Sequence, residues 1–273
     1  MKPEDIERIK DLLPTSLGSA EIRERYAREI LQRSVFVSRI ENMRFLAKVR
    51  ETAAALSSGE INAAKAKEQL LGVLRQIGYD TTADDDRLAN IVSERRLNLI
   101  LETQREMAAN AALVLSQNAG TIDQYPAWNL TRLAGRRIPR EDWPARWNAA
   151  GNSVGWEGAY KPIYHGDGAD FGFVALKSSP IWQALGDGVG GFNDTLGNPY
   201  PPFAFSSGLS WLQVDRDTCE QLGLIKSKSE GEVEQRIDRP SLSPAEKDIA
   251  DAAKRYGFDE SYFDDILGDW VKV

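Results

Sequence analysis

Asn118-Ala-Gly120-Thr-Ile-Asp-Gln-Tyr125-Pro126-Ala-Trp128 divides this chain into two physically different parts. Before it the only prolines are Pro3 and Pro14 and there is no tryptophan. From Pro126 onward come the other ten of twelve prolines, all seven tryptophans and most of the 22 glycines. Long runs of helix-forming residues thus give way to a turn-rich, aromatic sequence. The fold class read from this is α+β. A mainly helical N-terminal arm of about three main helices covers residues 1–120. A small turn-rich mixed α/β module with short strands covers 121–225, and a linker with an acidic C-terminal helix covers 226–273.

Outward from the junction, local signals set the expected elements. Residues 1–18 read as a short helix ended by Leu13-Pro14-Thr15-Ser16. From Ser19 to Leu56 there is neither Pro nor Gly, and Ile22, Tyr26, Ile30, Val37, Ile40 and Phe45 recur at mainly helical spacing. That predicts one long amphipathic helix, kinked around Ser34–Ser38 where β-branched and hydroxyl residues concentrate. Ser57-Ser-Gly-Glu60 has capping-box spacing, with Ser57 as cap, and predicts a second helix over 61–77 stopped by Gly78. A third is expected over 87–118, ending at Gly120. In the module, Phe171–Leu176 reads as a strand and Ser179–Ala184 as a single helical turn. Asp215–Leu222 reads as a short helix capped by Asp215 and stopped by Gly223. Residues 226–243 read as a mobile linker, and Ser243-Pro244 opens a last helix ending near Tyr256-Gly257.

Composition narrows the function. The net charge is −7, but residues 1–120 carry 18 basic and 18 acidic groups, 121–230 carry 10 and 12, and 231–273 carry 6 and 11. The acidity therefore sits mostly in the tail, and no basic domain or stripe marks a nucleic-acid binder. Mean hydropathy is −0.42, and no apolar run approaches the roughly 18 residues of a membrane span. Met1-Lys-Pro-Glu-Asp5 leads into mixed charge without the apolar core of a secretion signal. Cys219 stands alone, which excludes an internal disulfide framework. Cytosolic synthesis is expected.

Catalytic and metal chemistry finds little material. Metal ligation needs several His, Cys or carboxylate groups on one point. His165-Gly-Asp167-Gly-Ala-Asp170 is the densest such cluster, yet it has the composition of an ordinary turn and fails EF-hand spacing. Gly186-Asp-Gly-Val-Gly-Gly191 fits a dinucleotide fingerprint formally, but Phe192 to Pro199 cannot supply the helix that fingerprint requires, so it reads as a flexible loop. Any nucleophilic triad would have to use His165, and no Gly-x-Ser-x-Gly elbow occurs. Glu232-Val-Glu234 reads as solvated charge in the linker. Asn129-Leu-Thr131 and Asn193-Asp-Thr195 match the glycosylation pattern, which carries no weight without a secretion signal.

The segment Trp128–Gly151 is richer. Arg132, Arg136, Arg137, Arg140 and Arg146 are interleaved with Trp128, Trp143 and Trp147. Arginine forks grip phosphate or carboxylate, and aromatic faces stack on bases or guanidinium groups, so these residues form a candidate face for a protein partner or DNA. The competing reading puts the tryptophans in the module's core and pairs the arginines with Glu141, Asp142 and other acidic neighbours.

Four stretches in order resemble the minor head, or head-morphogenesis, proteins of tailed phages and prophages, the Mu F-like group. They are Ser34-Val-Phe-Val-Ser-Arg-Ile-Glu-Asn-Met-Arg-Phe-Leu46; Arg95-Arg-Leu-Asn-Leu-Ile-Leu-Glu-Thr103 with Met107 and Ala108; Pro139-Arg-Glu-Asp-Trp-Pro-Ala-Arg-Trp-Asn-Ala-Ala-Gly151; and Val174-Ala-Leu-Lys-Ser-Ser-Pro-Ile-Trp182 followed by Gly197-Asn-Pro-Tyr-Pro-Pro-Phe-Ala-Phe-Ser-Ser-Gly208. The resemblance covers about residues 20–225. Many members end in a Pro-Pro…Cys-Arg-Cys element; here Pro201-Pro202 is kept, but Ala204-Phe-Ser-Ser207 stands where the cysteines fall. The resemblance implies a virion structural protein, a low-copy minor capsid component of the prohead with no enzymatic turnover and no cofactor. Its implied partners are the portal protein and/or the major capsid protein, in several copies per virion, with head assembly or DNA packaging and delivery as its role. It would occupy the host cytoplasm during assembly and then the virion head, without membrane contact. The rival expectations are a DNA-binding assembly factor using Arg132–Arg146 and a phage-associated enzyme or toxin centred on His165, Asp167 and Asp170.

Overall fold

A computed structural model describes residues 1–82, 86–132, 141–156, 159–165 and 170–226. The expected linker and last helix beyond residue 226 lie outside the described residues, as do Glu232 and Glu234.

The helical region opens with α1 (Pro3–Ile9) and β1 (Asp11–Leu12). The single helix expected over residues 19–56 is instead divided into α2 (Ser19–Arg25), α3 (Arg28–Gln32), β2 (Ser34–Val35) and α4 (Met43–Ser58). The cause is a long-range pairing: Ser34 and Val35 lie parallel to Asp11 and Leu12. Arg39 then sits in left-handed backbone at φ 63, which no continuous helix contains. Asn42 restarts the helix by accepting from the Phe45 N–H at 3.0 Å. The capping box at Ser57 does not form. Gly59, at φ 79, ends α4 instead, and Asn62 caps α5 (Ala63–Gln76) by accepting from the Lys65 N–H at 2.9 Å. Gly78 follows α5 at φ 94, the left-handed position expected of it. The third helix, α6 (Glu94–Leu115), starts later than expected because Ser93 is its cap. Asn118 caps the short α7 (Ala119–Gln124), so Gly120 lies inside a helix rather than ending one.

The module follows as β3 (Ala127–Arg132), α8 (Trp143–Ser153), β4 (Ala159–His165), β5 (Asp170–Leu176), α9 (Ile181–Asp187), β6 (Leu209–Val214) and α10 (Arg216–Gln221). The strands form an antiparallel sheet in the order β4-β5-β3-β6. Leu130 stands opposite Phe173 on one side and Trp211 on the other. Strand alternation sends Trp128, Leu130, Phe173, Ala175 and Trp211 to one face, where α8 and α9 cover them. Ala127, Val174 and Val214 point the other way, to Cys219 of α10. As expected, Asp215 caps α10, accepting from the Thr218 N–H at 2.8 Å, and Gly223 stops it at φ 69. The glycine-rich stretch 186–191 is not a loop throughout. Gly186 ends α9, Gly188 is its left-handed cap, and a turn follows.

Two cores share one helix. Leu97, Ile100 and Leu101 of α6 pack with Phe45, Val49, Leu70 and Leu74. Further along, Met107, Ala108, Ala111 and Ala112 pack with Trp128, Trp147 and Phe203, joined by Ile6 of α1.

Gly186 is where α9 meets the following loop most closely, since a Cβ there would stand 1.9 Å from the Asn198 carbonyl oxygen. Gly186→Ala should cost about 1–3 kcal/mol, read in thermal melts as a drop of roughly 3–10 °C. Gly72→Ala within α5, where a Cβ meets nothing within 4 Å, should leave the melting temperature unchanged or raise it.

Candidate functional site

The described part of the interleaved Trp/Arg segment is mostly interior. Arg136, Arg137 and Arg140 fall outside the described residues. Trp128, Trp143 and Trp147 are at most 1% exposed, so they fill the module's core instead of presenting a face for a partner or DNA. The spacing of α8 explains this, because Trp143, Trp147, Ala150 and Gly151 share one side of the helix and face the sheet. Trp128 stacks on Trp211 at 4.9 Å between ring centroids, Trp147 on Phe173 at 5.0 Å, and Trp182 meets Trp211 edge-on at 5.1 Å.

Arg146 is likewise part of the interior, at 6% exposure. Its Nε and Nη2 donate to Asp142 Oδ2 at 2.9 and 2.7 Å, and Nη1 donates to Asp194 Oδ1 at 2.8 Å. The guanidinium also lies 4.4 Å from the Phe192 ring centroid and 5.1 Å from that of Trp143. Burial opposes its charge, yet the two carboxylates outweigh burial and hold the pKa above the ordinary arginine value. A guanidinium engaged on both edges cannot also grip an external phosphate, so Arg146 clamps α8 to the 192–195 turn. Arg132 ends β3 and is half-buried.

The rival cluster is only partly in view. Backbone register places His165 opposite Asp170 across the β4–β5 pair, while Asp167 lies outside the described residues. Among the described residues no group of three or more His, Cys, Asp or Glu converges as a metal site. No helix among them is long and apolar enough to cross a membrane.

Sequence reading missed two cationic sites. Lys177, just after β5, is 3% exposed. Its Nζ donates to Gln117 Oε1 at 2.6 Å and Gln213 Oε1 at 3.1 Å and lies 4.2 Å from the Trp128 ring centroid. Burial lowers its pKa to about 8, against a weaker opposing effect of Cys219. Burial, aided by Asp215, pushes the Cys219 thiol up to about 12. These bonds tie the end of β5 to β6 and to Gln117, just beyond α6. The second site is a cleft carrying Arg39 and Arg96 on the helical side. Its signal was the break after Ser34, which no periodicity count reveals.

The resembling stretches touch one another. Arg96 of the second donates to Ser38 Oγ of the first at 2.6 Å. Trp147 of the third meets Trp182 of the fourth at 5.6 Å, and Phe203 stacks on Trp182 at 6.1 Å. No family model matches the chain, and neither the curated proteins nor the solved structures give a match.

Arg146→Met should destabilise the fold by about 2–3 kcal/mol, less than a fully buried pair would lose, because Asp142 and Asp194 are 40% and 35% exposed and rehydrate. Chemical denaturation measures it, and a loss under 0.5 kcal/mol would contradict the clamp. For Lys177, the unfolded chain holds a proton that the folded chain lacks between pH 8 and 10.5, so this group's contribution to stability rises with pH across that window. Comparing wild type with Lys177→Met, the difference should move in favour of wild type from pH 8 to 10.5 by up to about 1.4 kcal/mol per pH unit. A difference independent of pH would contradict the lowered titration.

Proposed function

We propose that this chain is a structural minor head protein of a tailed phage or prophage, docked on the portal and capsid interior, where it supports head assembly or DNA packaging and delivery. The observation that carries this reading is the order and spacing of the four stretches between Ser34 and Gly208. Their mutual packing through Arg96–Ser38 and the Trp147–Trp182–Phe203 cluster supports it, since these residues build one body together. The reading is of a non-enzymatic protein: the strongest charges found inside the module, Arg146 and Lys177, are spent on internal contacts. With four candidate residues interior, the external contact falls to the helical surface and to Arg136, Arg137 and Arg140.

The test is retention of the purified full chain by the portal protein of the same phage, at low and high salt, with free DNA as competitor. Salt-resistant, DNA-insensitive retention is expected. Absence of portal binding with DNA retention that falls steeply as salt rises would replace this reading with the DNA-binding one.

A further inference from the structure

Two guanidinium groups share a cleft on the helical side that no acidic side chain lines among the described residues. The cleft, about 440 Å³, is lined by Arg39, Arg96, Tyr79 and Leu88. Ser19, Ser38, Leu88 and Arg96 also line an adjoining slot of about 220 Å³, whose other walls include Phe36, Leu99 and Met107. Among the described residues no acidic side chain lines either space. The Arg39 guanidinium has no hydrogen-bond or ion-pair partner among the described residues, and among them the Arg96 guanidinium donates only to Ser38. Burial, followed by the charge of Arg39, holds the Arg96 pKa below its ordinary value, the reverse of what a carboxylate neighbour does. Arg39 is fixed at its backbone, in left-handed conformation with its N–H on the Leu17 carbonyl at 3.0 Å. Tyr79 and Leu88, at 42% and 41%, are among the most exposed large apolar residues described.

Such a site wants an anion with an apolar side chain beside it. A bare phosphate would satisfy the arginines and leave the slot empty, whereas an acidic peptide carrying aromatic or aliphatic residues fills both. The chain carries that chemistry itself in Phe258-Asp-Glu-Ser-Tyr-Phe-Asp-Asp-Ile-Leu-Gly-Asp-Trp270, five carboxylates among six large apolar residues with no basic residue. Between Lys226 and Phe258 lie 31 residues, a reach on the order of 100 Å when extended. A body of this size has a radius of gyration of roughly 17 Å, so the segment reaches the cleft from any point on it.

We infer that residues 258–270 dock in this cleft within the same chain, with carboxylates on Arg39 and Arg96 and an apolar side chain in the adjoining slot. The inference stands apart from the head-assembly reading.

Hydrogen–deuterium exchange of the full chain tests it. Amides of 258–270 should exchange at least tenfold slower in wild type than in Arg39→Glu, and the protection should weaken at high salt. Asp264→Arg with Asp265→Arg, changed on the tail alone, should abolish protection too. Combined with Arg39→Glu, that reversal should restore part of it. Equal exchange in wild type and all variants would overturn the docking. Protection that appears only as protein concentration rises would overturn it in favour of a second copy's tail. An unprotected tail with DNA retention lost in Arg39→Glu would make the cleft a phosphate site instead.

Discussion

Helix α6 belongs to both halves of the chain, and the remaining architecture depends on that sharing. Its first turns carry Leu97, Ile100 and Leu101 into the core formed with α4 and α5, and its later turns carry Met107, Ala108 and Ala111 into the tryptophan core. Alanines at the second contact let large rings approach the helix closely. Around this spine, α1 inserts Ile6 into the module's core. Arg23 of α2 donates to Thr195 Oγ1 at 2.7 Å and to the Asn193 carbonyl. Near the crossing, Lys10 Nζ lies 3.6 Å from a Glu7 carboxylate oxygen and donates to Gln104 Oε1 at 3.3 Å, all three being buried. Burial raises the Glu7 pKa even with Lys10 beside it. A buried pair of that kind contributes little net stability but penalises any arrangement that separates its partners.

The tryptophan core works by area more than by hydrogen bonding. Trp143, Trp147 and Trp211 bury their indole N–H groups without an acceptor, a cost of about 1–3 kcal/mol each. Burying 150–250 Å² of ring returns about 4–6 kcal/mol each, so burial wins, and stacking fixes the orientation. Trp182 donates to the Leu176 carbonyl at 2.8 Å, and Trp156, edge-on to Trp147, donates to Asn152 Oδ1 at 2.8 Å. This explains why residues that look like a recognition face in sequence are interior: the module has few other large side chains with which to close a four-stranded sheet under two short helices.

What the sequence revealed followed the range of the interaction. Gly78, Asp215 and Gly223 were legible because a left-handed stop or an Asx cap is decided within a few residues. The α+β division at 118–128 was legible because Pro, Gly and Trp change frequency there. The break between α3 and α4 was legible only as a kink at Ser34–Ser38, because its cause is pairing of Ser34–Val35 with Asp11–Leu12, a contact between distant segments. Asn62 was overlooked as a cap because Ser57 offered an earlier match, while Gly59 had already taken the left-handed position that ends α4. Helix α8 could have been read from Pro144 in its first turn and from the spacing of Trp143, Trp147 and Gly151. At the candidate site, residue type left Arg146 open between a contact face and pairing with acidic neighbours such as Asp142. Only the fold shows that Asp142 and Asp194 both hold it, and that Arg39 and Arg96 stand together with no carboxylate among the described residues lining their cleft.

These observations describe a protein whose charged and aromatic residues are spent on making one firm body, with its remaining open chemistry at a cationic cleft. The proposed head-assembly role is tested most directly by quantitative mass spectrometry of phage heads purified from cells that encode the chain. The account predicts the chain in proheads and in filled heads, at a fixed ratio well below that of the major capsid protein. Infectious heads that assemble and fill without containing it would contradict the account.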